Sequence, residues 1–390
     1  MKILHVLRIH KIKWRHWLLL ALFLLVTLTK MIPLWGFLYT TRFYPVIGKL
    51  LSPVSGIFPF AVGDIFIALS IAWVILYPIY EIGWRKKKGV FGRVIEYLLW
   101  VYVWFYMAWG LNYSQPNIYY RIGMKPVEVS EAKFKAFAYQ YADTLNALSE
   151  ELRTKSEKFN SIASDSIVDD RLKNQVKDAI LTEYNKIGYQ EGINPPFNQN
   201  PHVKTMVFTP LSSMAGVTGS MGPFFCEFTL NGDIRSHDYP ATYAHEFAHF
   251  LGVANEGEAN FYSYIVCTAS EDKAVRFSGY YHIFFHVLNN VFNILGEKEG
   301  EKYLKHIRPE IIQLARSDRQ YWISKRCKAL DAAQDFIFDL YLKGNHVAEG
   351  RKSYSGVIGL ILAWEEKKRL VRASTNRKSH IFNRIYLNRK

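Results

Sequence analysis

Residues 240–261 read PATYAHEFAHFLGVANEGEANF, and this stretch decides how the second half of the chain is interpreted. His245 and His249 are four residues apart, so on a helix both imidazoles project from one face, about one turn apart. Pro240 suits the first turn of such a helix, and Gly252 suits the position just after its end. The spacing therefore predicts a helix that offers two ligands to a single metal ion.

Glu246 lies between the two histidines, where a carboxylate can reach a metal-bound water and act as a general base. A catalytic zinc ion normally takes three protein ligands and keeps one position open for water. Two histidines leave one ligand to find, and the next acids along the chain are Glu256 and Glu258. The motif predicts a catalytic site that holds one Zn²⁺ per chain.

Glu256 is the predicted third ligand, and the reason is helix geometry. A short turn after the first helix leaves Asn255 as N-cap of a second helix, with Glu256 in its first turn. Glu258 then points about 200° away around that helix, so both acids cannot reach one metal ion. Asn260 lies on the same face as Glu256, within reach of a ligand histidine. Glu258 is expected to pair with a cation or a backbone amide, although a different turn would bring it to the metal instead.

The sequence on both sides of this motif predicts an α+β domain that is mostly helical with a small sheet. Ser130 precedes one helical run, and a second amphipathic helix is expected near 169–187. Residues 202–208 and 223–230 are rich in β-forming types, and the second segment ends in Asn231-Gly232, a hairpin turn signal. Helical patterns then continue to about residue 364.

Three apolar stretches precede this domain, at about 17–38, 60–82 and 95–112. Each is long enough to cross a bilayer as a helix. Lys30 interrupts the first stretch, and its long side chain can reach the membrane interface. A signal peptide is excluded because no small-residue cleavage site follows, whereas two further apolar segments do. The sequence predicts three transmembrane helices rather than buried helices of a soluble core.

The positions of the cations indicate the orientation in the membrane. Residues 1–16 and 85–93 each carry five cations and no acid, whereas 39–59 carries only Arg42 and Lys49. The positive-inside rule places the first two segments in the cytoplasm. The protein is therefore predicted to be a multi-pass protein of the cell membrane, with a cytoplasmic N-terminus and an extracytoplasmic catalytic domain. The predicted domains are a membrane anchor, a metallohydrolase domain and a basic tail, at 1–112, 113–366 and 367–390.

The net charge of +15 is concentrated in those two segments and in the tail. Together they hold nineteen cations, so the rest of the chain carries a net charge of −4. This distribution is typical of membrane flanks rather than of a groove that follows phosphates, and it excludes a nucleic-acid partner. Three widely spaced cysteines without a CxxC pair exclude a cysteine zinc cluster. The predicted partners are the lipid bilayer and a peptide or protein substrate.

The motif also carries a family resemblance. HEFAH followed by E-x-E-A-N-F resembles the gluzincin group of zinc metallopeptidases, in which a Glu is followed four residues later by Asp or Asn. The whole chain is identified as a member of the membrane-anchored zincin-like family called domain of unknown function 3810. The features that match are the three apolar segments, WGLNY at 109–113, a strand with Glu227, HExxH with EANF, and YLK…SYSGVIGLI at 341–361.

The resemblance implies a zincin-like fold and further site residues. Asn260 would orient His245 through a hydrogen bond. PFFCEFTL (223–230) would be the edge strand beside the cleft, with Glu227 contacting an extended substrate. A downstream residue would stabilise the oxyanion, and Tyr354 is the first choice. The other candidates are Tyr280, Tyr281, His282 and His286.

The sequence therefore predicts a membrane-anchored zinc metallopeptidase. The motif supports hydrolysis, and the peptide substrate is inferred from the resemblance. The alternative is a cell-envelope sensor or assembly protein that binds zinc or another ligand without turnover. Intramembrane proteolysis is excluded, since Asp233, Arg235 and Asp238 precede the motif and burial of such charges in a membrane is costly.

Overall fold

The computed structural model describes residues 13–127, 130–155, 168–330 and 356–387, which form two compact units. The first unit comprises residues up to 116 together with 222–227, and the second comprises the remainder. The described residues are mostly helical and include one three-stranded sheet, as the sequence predicted.

The first unit consists of helices, three of which are long and apolar enough to cross a membrane. These three are α1, α4 and α5, with 18, 22 and 19 residues, and they confirm the three predicted apolar helices. Few of their residues are buried inside the unit, as expected of helices that cross a membrane. The elements are α1 Trp14–Met31, α2 Pro33–Leu38, a π-helical turn Tyr39–Phe43, α3 Tyr44–Gly56, α4 Val62–Gly83, α5 Val90–Ala108 and a 3-10 turn Gly110–Ser114.

The first apolar stretch is not one continuous helix, contrary to the predicted span 17–38. α1 ends at Met31, and Ile32 is extended, with φ −117° and ψ 103°. The cause is Pro33, because a proline ring clashes with a helical conformation of the residue before it. The segment between α1 and α4 is also helical over most of its length.

Polar groups within the apolar helices have partners inside the unit. Lys30 Nζ donates to the hydroxyl of Tyr106 at 2.9 Å, and the Ser70 and Tyr97 hydroxyls are 2.6 Å apart. An unpaired polar group in hydrocarbon costs several kcal/mol, on the order of a lost hydrogen bond or more. Such contacts would satisfy these polar side chains if the helices lay in hydrocarbon.

The second unit holds the motif and the remaining elements. Its last helix, α16, runs through residue 366, so the predicted boundary before the basic tail lies within a helix. The elements are α6 Ile118–Arg121, α7 Glu131–Lys155, α8 Asp170–Ile187, β1 Lys204–Thr205, α9 Thr209–Met214, β2 Gly219–Gly222, β3 Glu227–Leu230, α10 Tyr239–Phe250, α11 Glu256–Ala269, α12 Lys273–His282, α13 Phe284–Leu295, α14 Glu297–His306, α15 Pro309–Lys325 and α16 Val357–Leu387.

The strand order is β1-β3-β2, which corrects the prediction that 223–230 forms an edge strand. β3 lies in the centre, and β1 runs parallel to it with Lys204 opposite Thr229. β2 lies at an edge of the sheet, although its sequence resembled a loop. The predicted hairpin turn at Asn231-Gly232 is not followed by another strand, and the chain proceeds to α10 instead. Asn231 Nδ2 donates to the Val217 carbonyl at 2.7 Å.

α10 lies in the core, and every side chain from Tyr239 to Phe250 is buried. The ring of Phe228 on β3 lies 5.2 to 5.7 Å from three aromatic rings of α10. On another side, the Tyr184 hydroxyl of α8 donates to the Ala244 carbonyl at 2.7 Å. Burial of each such aromatic side chain contributes about 1.5–3 kcal/mol, so the helix that carries the histidines is firmly held.

Candidate metal centre

A tight turn joins α10 to α11 and sets the direction of the second helix. Gly252 has φ +100°, a conformation that favours glycine. Asn255 Oδ1 accepts a hydrogen bond from the Glu258 amide at 3.0 Å and thus caps α11. The predicted end of the first helix near Gly252 and the predicted N-cap at Asn255 are both confirmed. Glu256 is the first residue of α11.

The turn brings His245, His249 and Glu256 together. The two Nε2 atoms are 3.1 Å apart, and Glu256 Oε2 lies 3.1 Å from that of His245 and 3.4 Å from that of His249. The two histidines are buried, 9% and 6% exposed. Ligands of a tetrahedral zinc ion lie about 3.3 Å apart when the metal–ligand bonds are about 2.0–2.1 Å. The spacing of these three atoms fits that geometry.

The other ring nitrogen of each histidine is held by an oxygen acceptor. His245 Nδ1 lies 2.8 Å from Asn260 Oδ1, and His249 Nδ1 lies 2.6 Å from the Val253 carbonyl. Both acceptors favour a proton on Nδ1, so that in the neutral rings the Nε2 lone pairs are the ones available to a metal ion. This is the tautomer that a metal ligand needs.

The charges of the three groups depend on one another. Burial tends to raise the pKa of the Glu256 carboxyl, yet His249 and His245 hold that pKa well below its usual value. Burial alone would lower the pKa of His249, but the charge of Glu256 raises that pKa to about 9. The carboxylate therefore attracts positive charge into a buried position, in the form of a proton or of a metal ion.

Glu246 lies beside this trio with an unsatisfied oxygen. Its Oε2 is buried and has no hydrogen-bond partner among the described residues. Burial raises the pKa of this carboxyl, and the two neighbouring histidines partly offset the effect. A buried oxygen without a partner costs about 1–3 kcal/mol or more unless water or an ion satisfies it. The orphaned oxygen and the N, N, O donor set both fit a catalytic zinc ion with a water.

Glu258, the alternative ligand, is engaged elsewhere. Its Oε2 lies 2.7 Å from Arg121 Nη2, and its Oε1 accepts from the Ile118 amide at 2.9 Å. Both side chains of the ion pair are buried, 3% and 8% exposed. The expected pairing of Glu258 with a cation or a backbone amide is therefore observed with both. Arg121 had no local signal in the sequence, because 137 residues separate it from its partner.

Asn260 also lies within hydrogen-bond distance of a second histidine, His282. Its Oδ1 lies 2.9 Å from His282 Nε2 as well as 2.8 Å from His245 Nδ1. His282, at the end of α12, is thus connected to the metal-ligand pair through one amide oxygen. The sequence named His282 only among several candidates for the oxyanion, and the structure links it to the site.

Two other residues that the sequence predicted for the site, Glu227 and Tyr354, make no described contact with the three proposed metal ligands. Glu227 belongs to the first unit and is buried, and its Oε1 accepts from the Gly63 amide at 2.6 Å, near the N-terminus of α4. A carboxylate is stabilised at that position by the helix dipole, which explains its burial. This contact gives Glu227 a structural role at the start of α4, and its contact with an extended substrate stays a prediction. Tyr354 lies outside the described residues.

Comparison with known proteins gives one match. The family model described as "Protein of unknown function (DUF3810)" matches residues 39–362. No curated protein and no solved structure matches the chain. The matched region includes α4, α5, the sheet and both helices of the candidate metal centre. Because the match covers most of the chain, the chain belongs to the DUF3810 family.

Proposed function

We propose that the second unit is a zincin-like domain that hydrolyses peptide bonds with one zinc ion, in a chain anchored in a membrane by α1, α4 and α5. The observation that carries the proposal is the buried, orphaned Oε2 of Glu246 beside the convergent His245, His249 and Glu256. Such an arrangement supplies a metal site and a general base together.

The residues have separate roles in the proposed reaction. His245, His249 and Glu256 would hold a zinc ion, which would supply Lewis acidity toward a carbonyl and toward water. Glu246 accepts the proton of the attacking water and transfers it to the leaving amine. Burial raises the pKa of Glu246, which makes its carboxylate a stronger base toward the attacking water. Asn260 holds the His245 ring in orientation.

A peptide substrate is supported by the position of β2. This strand lies at an edge of the sheet, and its first residue, Gly219, lies against the side chain of Glu246. Backbone groups at a sheet edge can pair with an extended peptide, which would place the scissile bond near the general base. β2 thereby replaces β3 as the proposed binding strand.

The test compares Glu246→Gln with the unaltered chain for zinc content and for hydrolysis of a peptide library. The variant should keep about one zinc per chain and lose nearly all hydrolysis, because the ligands remain and the base is removed. His245→Ala is the matched control and should lose the metal. Full hydrolysis by Glu246→Gln would refute the mechanism. Zinc binding without hydrolysis of any peptide by the unaltered chain would favour a non-catalytic zinc-binding role.

A further inference from the structure

A pocket of about 630 Å³ lies within the second unit, close to the candidate metal centre. His282 lines it and is bonded to Asn260, the residue that also holds His245. Thr218 lines it too and directly precedes Gly219, which lies against Glu246. The pocket wall therefore adjoins the candidate metal centre in two places, at His282 and at Thr218. A volume of this size accommodates a side chain or a small ligand.

The floor of the pocket is a buried network whose charges compensate one another. Asp318 accepts from Arg235 Nη1 at 2.5 Å and from the Tyr281 hydroxyl. His237 Nε2 lies 2.9 Å from Asp318 and 3.4 Å from Asp238. Burial alone would lower the pKa of His237, but the two carboxylates raise it, and burial raises the pKa of Asp238. The two acids of the floor, Asp238 and Asp318, therefore face two basic side chains, His237 and Arg235.

These three acid and histidine side chains also have the spacing of metal ligands. Asp318, however, already accepts from Arg235 and Tyr281, and the guanidinium supplies the positive charge that a metal ion would bring. The network is therefore assigned to the architecture of the pocket.

The upper part of the pocket has a different character. Trp322 and Phe285 supply aromatic surface, and Phe285 is 46% exposed, so it lies open to an incoming group. Arg319 and Arg326 line the same pocket and are exposed. Arg319 makes no ion pair with the part of the chain that the structure describes. Arg319 therefore brings a positive charge without an ion-pair partner among the described residues to a pocket that also has aromatic surface.

We propose that this pocket receives the carboxyl-terminal end of a peptide substrate. The apolar side chain of the last residue packs on Trp322 and Phe285, and its terminal carboxylate binds Arg319. Arginine forms paired hydrogen bonds with a carboxylate, an arrangement that a neutral amide cannot match. The inference rests on the proposed peptidase function and names its substrate class: peptides with a free, apolar carboxyl terminus.

The distance to the metal centre limits the length of the released fragment. Asp238, on the pocket wall, precedes His245 by seven residues, which is two helical turns or about 10 Å along α10. An extended chain covers about 3.3–3.6 Å per residue, so this distance corresponds to about three residues. Cleavage should therefore release fragments of one to three residues, which mass spectrometry identifies.

The first experiment compares two peptides that differ only at the carboxyl terminus, one a free acid ending in Phe and one its amide. The unaltered chain should cleave the acid at least about tenfold faster in kcat/KM, since charge-assisted hydrogen bonds are lost with the amide. Arg319→Ala should reduce that preference several-fold. Arg316→Ala, on the same helix but outside the pocket, is the matched control and should keep it. Equal cleavage of acid and amide by the unaltered chain would overturn the inference.

A binding measurement separates this inference from the proposed function. Zinc-loaded Glu246→Gln is titrated with N-acetylphenylalanine and with its amide by calorimetry. Tighter binding of the acid that is weakened in Arg319→Ala supports the pocket even if no peptide is hydrolysed, in which case only the proposed function fails. Equal or undetectable binding of both probes, with hydrolysis intact, overturns the pocket and leaves the proposed function standing.

Discussion

Gly219 lies directly against the carboxylate of Glu246. A Cβ atom at position 219 would lie 2.4 Å from Oε1 and 2.5 Å from Cγ of Glu246. Non-bonded heavy atoms normally approach to about 3.5–4.0 Å, so only glycine fits there without displacement of the glutamate. The first residue of β2 thus limits where the proposed general base can lie.

Gly219→Ala should impair hydrolysis and leave zinc binding intact. The added methyl group pushes Glu246 away from the proposed water position, and a misplacement of about 1 Å can cost roughly 10²-fold in rate. The three atoms nearest to a Cβ at residue 219 all belong to Glu246, so zinc content should stay at about one per chain. Ser220→Ala, one residue further along the strand and exposed, is the control and should behave as the unaltered chain. Unchanged kcat in Gly219→Ala would show that Glu246 is not constrained by β2.

Glu256→Ala should reduce zinc affinity, whereas Glu258→Ala should reduce the stability of the domain. Glu256→Ala removes one of three proposed ligands, so zinc affinity should fall strongly, as measured with a competing chelator. Its fold should be retained in the absence of metal, because His249 can lose its proton and stay buried as a neutral ring once Glu256 is gone.

Glu258→Ala should instead lower the stability of the domain by about 3–5 kcal/mol, because Arg121 stays buried without its counter-charge. Thermal unfolding of the detergent-solubilised chain measures the loss, and zinc affinity of the folded fraction should change little. Metal loss in Glu258→Ala with retention in Glu256→Ala would reverse the ligand assignment.

Zinc affinity should rise with pH up to about 9. The pKa of His249 in the metal-free site is raised to about 9 by Glu256, so below that pH a proton must leave before the metal binds. Each unit of pH below about 9 should therefore weaken apparent zinc binding roughly tenfold, and the dependence should level off above it. Chelator competition between pH 6.5 and 9.5 measures this slope. A flat profile from pH 7 to 9 would contradict a proton on His249.

The orientation of the chain can be tested with reporter fusions. The basic segment 85–93 is predicted to lie in the cytoplasm, whereas residues after about 113 are predicted to lie outside. A phosphatase that is active only outside the cytoplasm should be active when fused after residue 130 and silent when fused within 85–93. A fluorescent reporter that folds only in the cytoplasm should give the opposite pattern. The reverse result with both reporters would place the second unit in the cytoplasm.

Local signals in the sequence predicted the elements near the metal centre well. The helix with both histidines, its end near Gly252 and the cap at Asn255 depend only on neighbours within about four residues. The three apolar helices depend on length and composition, which are likewise local properties. The sequence by itself therefore determined that these helices exist and which side chains of the histidine helix share a face, whereas the predicted bounds of the apolar helices differ from the observed ones.

Contacts between distant segments were decided by the tertiary structure alone. Arg121 and Glu258 are 137 residues apart, and Gly219 meets Glu246 across a strand and a helix. The central place of β3 likewise depends on β1 and β2 together, which no pattern within 223–230 encodes. Such pairs form because burial of the apolar faces around α10 brings distant segments together. The local sequence of one segment does not indicate which other segment it will contact.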